Sequence, residues 1–160
     1  MNGSAALCAV AGLALYVGHH VGDYWVQTDA QAREKGLPGI AGVVACATHC
    51  ATYVATQWLA LMIALWVTGV GVEQPDSWWW RPFVAVLVSG GTHYLADRRE
   101  HGLMFWLARR LPGKAAFLTL GKPRGGHYDD APQLATGAWA LDQSWHLLFG
   151  VFVPALIIAS

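Results

Sequence analysis

The stretch Gly18-His19-His20-Val21-Gly22-Asp23-Tyr24-Trp25-Val26-Gln27 places ionisable groups at the end of a long apolar run. Residues four apart lie on one face of a helix, so His19, Asp23 and Gln27 form a polar stripe. The run that begins near Ala5 is long enough to cross a hydrocarbon core, which needs about 20 residues. The sequence therefore predicts a membrane-spanning helix that ends in a ligand-like face.

The same one-turn spacing of His and Asp recurs in two further apolar segments, as His93 with Asp97 and as Asp142 with His146. A fourth segment contributes His49. One such pair alone is explained by a hydrogen bond on a helix surface. Three pairs in a short, apolar chain favour a shared functional site instead.

The composition indicates a membrane protein. The chain has 160 residues, of which 55% are hydrophobic and 12% are charged, against roughly 25% charged in soluble domains. We predict a single all-α membrane domain, polytopic, with four transmembrane helices in a bundle and an interfacial extension after the third. The spans are expected at about 5–27, 40–70, 82–97 and 134–158, with a polar loop at 112–132. Trp78-Trp79-Trp80 is expected in an aromatic belt at the interface.

The distribution of basic residues predicts the topology. Only Arg81 of the ten lysines and arginines lies in or next to the second connection, and the other nine lie in the first and third. The positive-inside rule then places both termini outside the cytoplasm and this chain in the cell (inner) membrane. The formal net charge of zero argues against a nucleic-acid partner.

With this topology, all four predicted spans carry their His and Asp residues within about 12 to 18 Å of the cytoplasmic boundary. Ionisable groups inside a bilayer are costly unless they pair, bind something or line water. The sequence shows no cluster of lysines or arginines at that depth, so a bound cation is expected to neutralise the carboxylates. Imidazole and carboxylate suit zinc above all, with manganese or iron as alternatives, bound as one or two divalent ions. The expected ligands are His19, Asp23, His49, His93, Asp97, Asp142 and His146. A thiolate ligand from Cys46 or Cys50, which flank His49, is a further alternative.

Several of these motifs resemble a bacterial and phage membrane-protein family known as domain of unknown function 3307. The segments that carry the resemblance span nearly the whole chain: His19-x3-Asp23-Tyr24-x2-Gln27, Lys35, His49-x3-Tyr53, His93-x3-Asp97 and Asp142-Gln143-x2-His146. The resemblance implies a four-span membrane protein and no established activity. A looser similarity to predicted membrane-bound metal-dependent hydrolases supplies an analogy for the activity. His127, Asp129 and Asp130 lie outside the resemblance, and no role is predicted for them or for His20.

The leading functional hypothesis is a membrane-embedded metal-dependent hydrolase. A bound ion would generate hydroxide and polarise a phosphoryl or acyl oxygen, and one of Asp23, Asp97 and Asp142 would act as the catalytic base. The expected substrate is an anionic lipid or polyprenyl phosphate at the cytoplasmic leaflet. The expected substrate-binding residues are Gln27, Arg33, Lys35, Arg98, Arg99 and Gln143.

Two alternatives belong to other functional classes. A transporter or channel would use the same groups to relay protons or metal ions. A non-catalytic assembly factor would use them as a structural network. Membrane lipid is the expected partner in each case, and a homo-oligomer is compatible with the sequence.

Overall fold

The secondary structure of the described residues is entirely helical. The computed structural model describes residues 3–72, 74–121 and 136–160. Short 3₁₀ turns at Asp76–Trp79 and Arg99–His101 precede and follow the fourth helix. The helices are α1 (Gly3–Val26), α2 (Asp29–Glu34), α3 (Gly39–Thr68), α4 (Trp80–Asp97), α5 (Leu103–Arg110), α6 (Lys114–Phe117) and α7 (Gly137–Ala159).

The four long helices α1, α3, α4 and α7 pack against one another as a bundle. At one end of the bundle the Trp78 indole, just before α4, donates a hydrogen bond of 2.9 Å to the Ile158 carbonyl near the end of α7. Towards the other end the rings of His93 on α4 and His146 on α7 stack at 4.2 Å. Helix α4 therefore lies antiparallel to α7 from one end of the bundle towards the other.

Local sequence signals define where the helices begin and end. Thr28 begins α2 with a capping box, in which its hydroxyl accepts from the Gln31 amide and the Gln31 side chain accepts from the Thr28 amide. Pro38 precedes α3, and Gly69 follows it with a φ of 65°, in the left-handed region that glycine adopts without steric cost. The connection between α1 and α3 is therefore short, residues 27–38, and the two helices pack against each other.

Three helices, α1, α3 and α7, are long and apolar enough to cross a membrane. In the most apolar stretch of each of these helices, only 28 to 39% is buried inside the protein. Apolar side chains therefore cover most of the outside of these helices, as lipid contact requires, and the protein has the character of a membrane protein.

The predicted third span, at 82–97, is not apolar enough to be counted with these three helices. It corresponds to α4, which has 18 residues and carries Arg81, His93 and Asp97 among them. These three residues lower the mean hydropathy of the helix, and His93 and Asp97 among them are buried inside the bundle. The three apolar spans run close to their predicted bounds.

The apolar core lies in the half of the bundle that is remote from the histidines. It is formed around Leu7, Leu15, Leu61 and Ile158, and Trp78 packs into it with 2% of its surface exposed. Trp78 is therefore a core residue, whereas Trp79 and Trp80 are about half exposed, and for these two the aromatic belt stays a prediction.

Candidate metal centre

Two of the candidate ligands lie in π-helical turns. Asp23 lies in the turn Gly22–Val26 at the end of α1, and His146 begins the turn His146–Phe152 inside α7. A π turn inserts extra backbone into the helix and re-aims its side chains, and such turns occur frequently at functional sites. Both turns direct their residues into the bundle, where His146 is 1% exposed.

Close packing between α1 and α3 brings their ligands together. A Cβ atom on Gly18 would lie 2.8 Å from the backbone Cα of Gln57. Only glycine allows the two helices to approach this closely. The approach places His19 and His49, both fully buried, on facing surfaces of the same cluster.

Four side-chain atoms from three helices form the centre of the cluster. The Nε2 atoms of His49 and His93 lie 3.0 Å apart. Asp23 Oδ1 lies 3.2 Å from each of these nitrogens. Asp97 Oδ2 lies 3.1 Å from the His49 nitrogen and 3.0 Å from that of His93. All four side chains are at least nine-tenths buried.

These contacts outnumber the protons that can bridge them. Five separations of 3.0 to 3.2 Å join the two nitrogens to each other and to the two carboxylates. Each Nε2 carries at most one proton, and an ionised carboxylate carries none. Two N–H groups cannot fill five short contacts, so most of them bring lone pairs together. A cation bound by His49, His93 and Asp97, whose donor atoms all lie within 4.8 Å of one another, would relieve the contacts among those three atoms.

The separations match the spacing of donor atoms around a metal ion. Ligands 2.0 to 2.1 Å from a tetrahedral zinc ion lie about 3.3 Å from one another. Neighbouring ligands around an octahedral ion with similar bond lengths lie about 3.0 Å apart. The observed values fall at these spacings, so the buried His and Asp groups could hold a metal ion.

The remaining predicted ligands surround this centre. His19 Nδ1 lies 3.4 Å from Asp23 Oδ2. His146 Nε2 lies 3.4 Å from Asp142 Oδ2 and 3.8 Å from Asp97 Oδ1. The structure thus brings all seven predicted ligands into one connected cluster, with Asp97 in contact with both sides of it.

Lys35 lies closer to the cluster than the sequence suggested. Its ammonium group donates a hydrogen bond of 2.8 Å to Asp97 Oδ2, and only 12% of the side chain is exposed. The sequence showed no cluster of lysines or arginines at this depth, but a single lysine pairs with one of the carboxylates. The connection between α1 and α3 folds back over the bundle and carries Lys35 into the site.

Arg98 anchors that connection. Its guanidinium donates to the carbonyls of Lys35 and Leu37, at 2.8 and 3.0 Å, and the side chain is 7% exposed. Gly42 makes room for the guanidinium, because a Cβ there would overlap the Leu37 carbonyl and crowd Arg98. Arg98 therefore positions the lysine-bearing segment.

A cavity of about 630 Å³ opens beside the cluster. This volume lies within the range of small-molecule sites. Asp23, Asp97 and Asp142 form part of its wall, so the cluster is accessible from the cavity. Among the predicted substrate-binding residues, those that line it are Gln27, Arg33, Lys35, Arg99 and Gln143. Arg98 is not among the described residues of the lining.

A second polar layer lies between the histidines and the apolar core. The Tyr53 ring stacks on His93 at 3.8 Å, and its hydroxyl lies 3.1 Å from Ser89 Oγ. Ser89 donates to Gln57 Oε1 at 2.6 Å, and Gln57 donates to the carbonyls of Leu15 and Gly150. His49, Tyr53 and Gln57 are spaced four residues apart on α3. This spacing in the sequence could have identified Gln57 as part of the same helix face.

The other candidates do not join the cluster. Among the described residues, Cys46 and Cys50 belong to no group of close metal-ligand atoms. His20 stacks on Tyr24 instead. His127, Asp129 and Asp130 lie outside the described residues.

Three apolar helices and a buried His and Asp cluster that could hold a metal ion define the class of this molecule as a membrane protein with a candidate metal centre. Comparison with protein-family models, curated proteins and solved structures finds no match.

Proposed function

We propose that this chain is a membrane-embedded metal-dependent hydrolase that acts on a phosphoryl-bearing anionic lipid. The observation that carries the proposal is the convergence of Asp23, His49, His93 and Asp97 at mutual distances that protons cannot fill. Their nitrogen and oxygen donors favour zinc, with manganese or iron as alternatives. The adjoining cavity supplies room for a substrate head group.

The proposal includes four membrane spans in a bacterial inner membrane. Both termini would lie outside the cytoplasm. Helix α4 is antiparallel to α7 and contacts it both near Ile158 and near His146. A helix that accompanies a spanning helix in this way crosses the same thickness of bilayer. The polar residues of α4 are tolerated because the bundle, and not lipid, surrounds them.

The residues that face the cavity suit hydrolysis of a phosphate ester. A bound ion would lower the pKa of a coordinated water and polarise the phosphoryl oxygen. Asp142, a quarter exposed at the cavity wall, would accept a proton from the attacking water on the oxygen other than Oδ2, which faces His146. The water oxygen forms the new bond to phosphorus, the ester bond breaks, and the proton passes to the departing alkoxide. Lys35 and Arg99 would hold the anionic substrate.

Metal analysis of the purified protein tests the centre. We expect stoichiometric zinc, manganese or iron in the wild type, lost on chelation and in His93→Ala and Asp23→Asn. The matched controls are His101→Ala and Asp29→Asn, which change exposed residues and should retain the metal. Wild-type protein without metal, also after zinc, manganese or iron is added back, would contradict the proposal.

Lipid turnover tests the reaction. Protein in detergent or nanodiscs would be incubated with phospholipids and polyprenyl phosphates, with chelator and with metal restored. We expect metal-dependent release of phosphate or head group, abolished by Asp142→Asn. Bound metal without turnover of any substrate would favour a transporter or channel that relays protons or metal ions. Absence of both would favour a structural network in an assembly factor.

A further inference from the structure

We propose a second cation position, formed by Asp97, Asp142 and His146, that fills together with a phosphomonoester dianion. The inference rests on the proposed function and identifies its substrate class. It assigns Asp97 as the carboxylate that bridges two ions. The first ion would be held by His49, His93 and Asp97, with Asp23 beside the two histidines.

The two oxygens of Asp97 face different groups. Oδ2 contacts His49 and His93 at 3.1 and 3.0 Å, whereas Oδ1 faces His146 Nε2 at 3.8 Å. A carboxylate in this position can bind one ion through each oxygen. Paired catalytic ions lie about 3.5 to 4 Å apart, a separation that one bridging carboxylate spans.

The environment of His146 gives independent evidence that an ion binds at the second position. The side chain is 1% exposed, and among the described residues neither ring nitrogen has a hydrogen-bond partner. Nε2 points at Asp142 and Asp97 from 3.4 and 3.8 Å, distances too long for strong hydrogen bonds. Two donors bound to one ion at angles of about 110 to 135° lie about 3.3 to 3.8 Å apart. The geometry thus suits a shared ion.

The second position differs from the first in its access. Asp142 is 25% exposed and lines the cavity, whereas His49 and His93 of the first position are fully buried and do not line it. Three protein ligands leave coordination sites free on the cavity side. The third group of close donors, His19 with Asp23 and His93, shares His93 with the first position and lies beside it.

Charge explains why the second ion needs an anion. With neutral imidazoles, as metal ligation requires, the three carboxylates and Lys35 sum to two negative charges. One divalent ion neutralises them, and a second ion leaves two positive charges beside the cavity. The nearby guanidinium of Arg98 only adds to this excess. A phosphomonoester dianion restores neutrality, whereas a phosphodiester monoanion leaves one charge uncompensated.

The cavity offers donors for such a dianion. Gln27 Nε2 is buried in the cavity wall and has no hydrogen-bond partner among the described residues. Lys35 and Arg99 line the same cavity. A phosphoryl group bound to the second ion would therefore meet further donors, and its ester chain would extend through the cavity towards the lipid.

Cobalt binding to the full chain in nanodiscs tests the inference, because cobalt binds the same nitrogen and oxygen donors as zinc. Equilibrium dialysis gives the number of ions per chain, and electron paramagnetic resonance detects coupling between two close ions. We expect one cobalt ion without anion and a coupled pair with inorganic phosphate or with nanodiscs containing phosphatidic acid. Phosphatidylglycerol, a phosphodiester, should leave one ion. The anion should raise the affinity of the second position by about ten- to hundredfold.

Asp142→Asn should retain one ion under every condition, which also shows that the first position is folded. Ser144→Ala, an exposed change on the same helix, should match the wild type. A response to phosphatidic acid alone identifies the lipid head group as the source of the dianion, and a response to inorganic phosphate alone identifies the free ion. Two ions without anion, one ion with every anion, or an anion-dependent second ion in Asp142→Asn would overturn the inference. Lipid turnover with one bound ion under every condition would overturn the second position and leave the proposed hydrolase intact. A protein that binds no ion would overturn both proposals.

Discussion

Lys35 opposes the ion at the candidate centre, so we expect Lys35→Met to bind metal more tightly than the wild type. The ammonium lies 2.8 Å from Asp97 Oδ2. An ion about 2.1 Å from that oxygen lies no more than about 4.9 Å from Nζ. Methionine keeps a long flexible side chain without the charge, and the Lys35 carbonyl that Arg98 binds remains in place.

Coulomb's law gives the size of the effect. A unit charge and a divalent ion about 4.9 Å apart repel by about 1.7 kcal/mol at the dielectric constant of water and by about 7 kcal/mol at an effective value of 20. The smaller figure already corresponds to more than tenfold in affinity. Lys35→Met should therefore lower the dissociation constant for the ion by at least about tenfold.

The same substitution should destabilise the metal-free protein. Without Lys35 and without an ion, Asp97 remains as a buried carboxylate that lacks its cation, and loss of one partner of a buried pair costs about 3 to 5 kcal/mol. The chelated variant should unfold at a lower temperature than the chelated wild type, and metal should restore most of the difference.

Titration with chelator-buffered zinc, together with thermal unfolding with and without chelator, measures both effects. Lys114→Met makes the same change on an exposed side chain beside Phe117 and serves as the control. Unchanged or weaker zinc binding by Lys35→Met would refute the reasoning, because the ammonium would then not oppose an ion at this centre.

Three further predictions address the remaining parts of the structure. Asp97→Asn should destabilise the metal-free fold by about 3 to 5 kcal/mol because it leaves Lys35 unpaired, whereas Asp142→Asn, at a partly exposed position, should change thermal stability little while abolishing turnover. Gln57→Leu should lower the unfolding temperature, at about 1 to 3 kcal/mol, because it removes the side-chain donor of the Leu15 carbonyl and an acceptor of Ser89, while Ser89 still donates to the Gly150 carbonyl. An unfolding temperature equal to wild type would contradict the role of the second polar layer. In a cysteine-free background, an impermeant thiol reagent applied to whole cells should label Ser160→Cys and spare Gly121→Cys. The opposite pattern would reverse the predicted topology. Labelling of both variants would exclude four spans.

Much of the helical arrangement was predictable because its causes are local. Apolar runs of spanning length and breaks at Pro38 and Gly69 define α1 and α3 to within a few residues of their predicted bounds. The one-turn spacing of His93 and Asp97 places both on one face of α4 whatever surrounds that helix. Periodicity within a helix survives in the folded protein because it depends only on helix geometry.

The sequence by itself determined which residues are polar, how they are spaced and that they belong to apolar helices. The tertiary structure alone decided which atoms meet. The contact between Lys35 and Asp97 joins residues 62 positions apart, and it depends on how Arg98 holds the connection over the bundle. The central place of Asp97, between His93 on its own helix and His146 on another, likewise depends on helix packing and on a π turn. Spacing along a chain predicts faces, whereas contact between faces depends on helix register and rotation, which packing over the whole bundle sets.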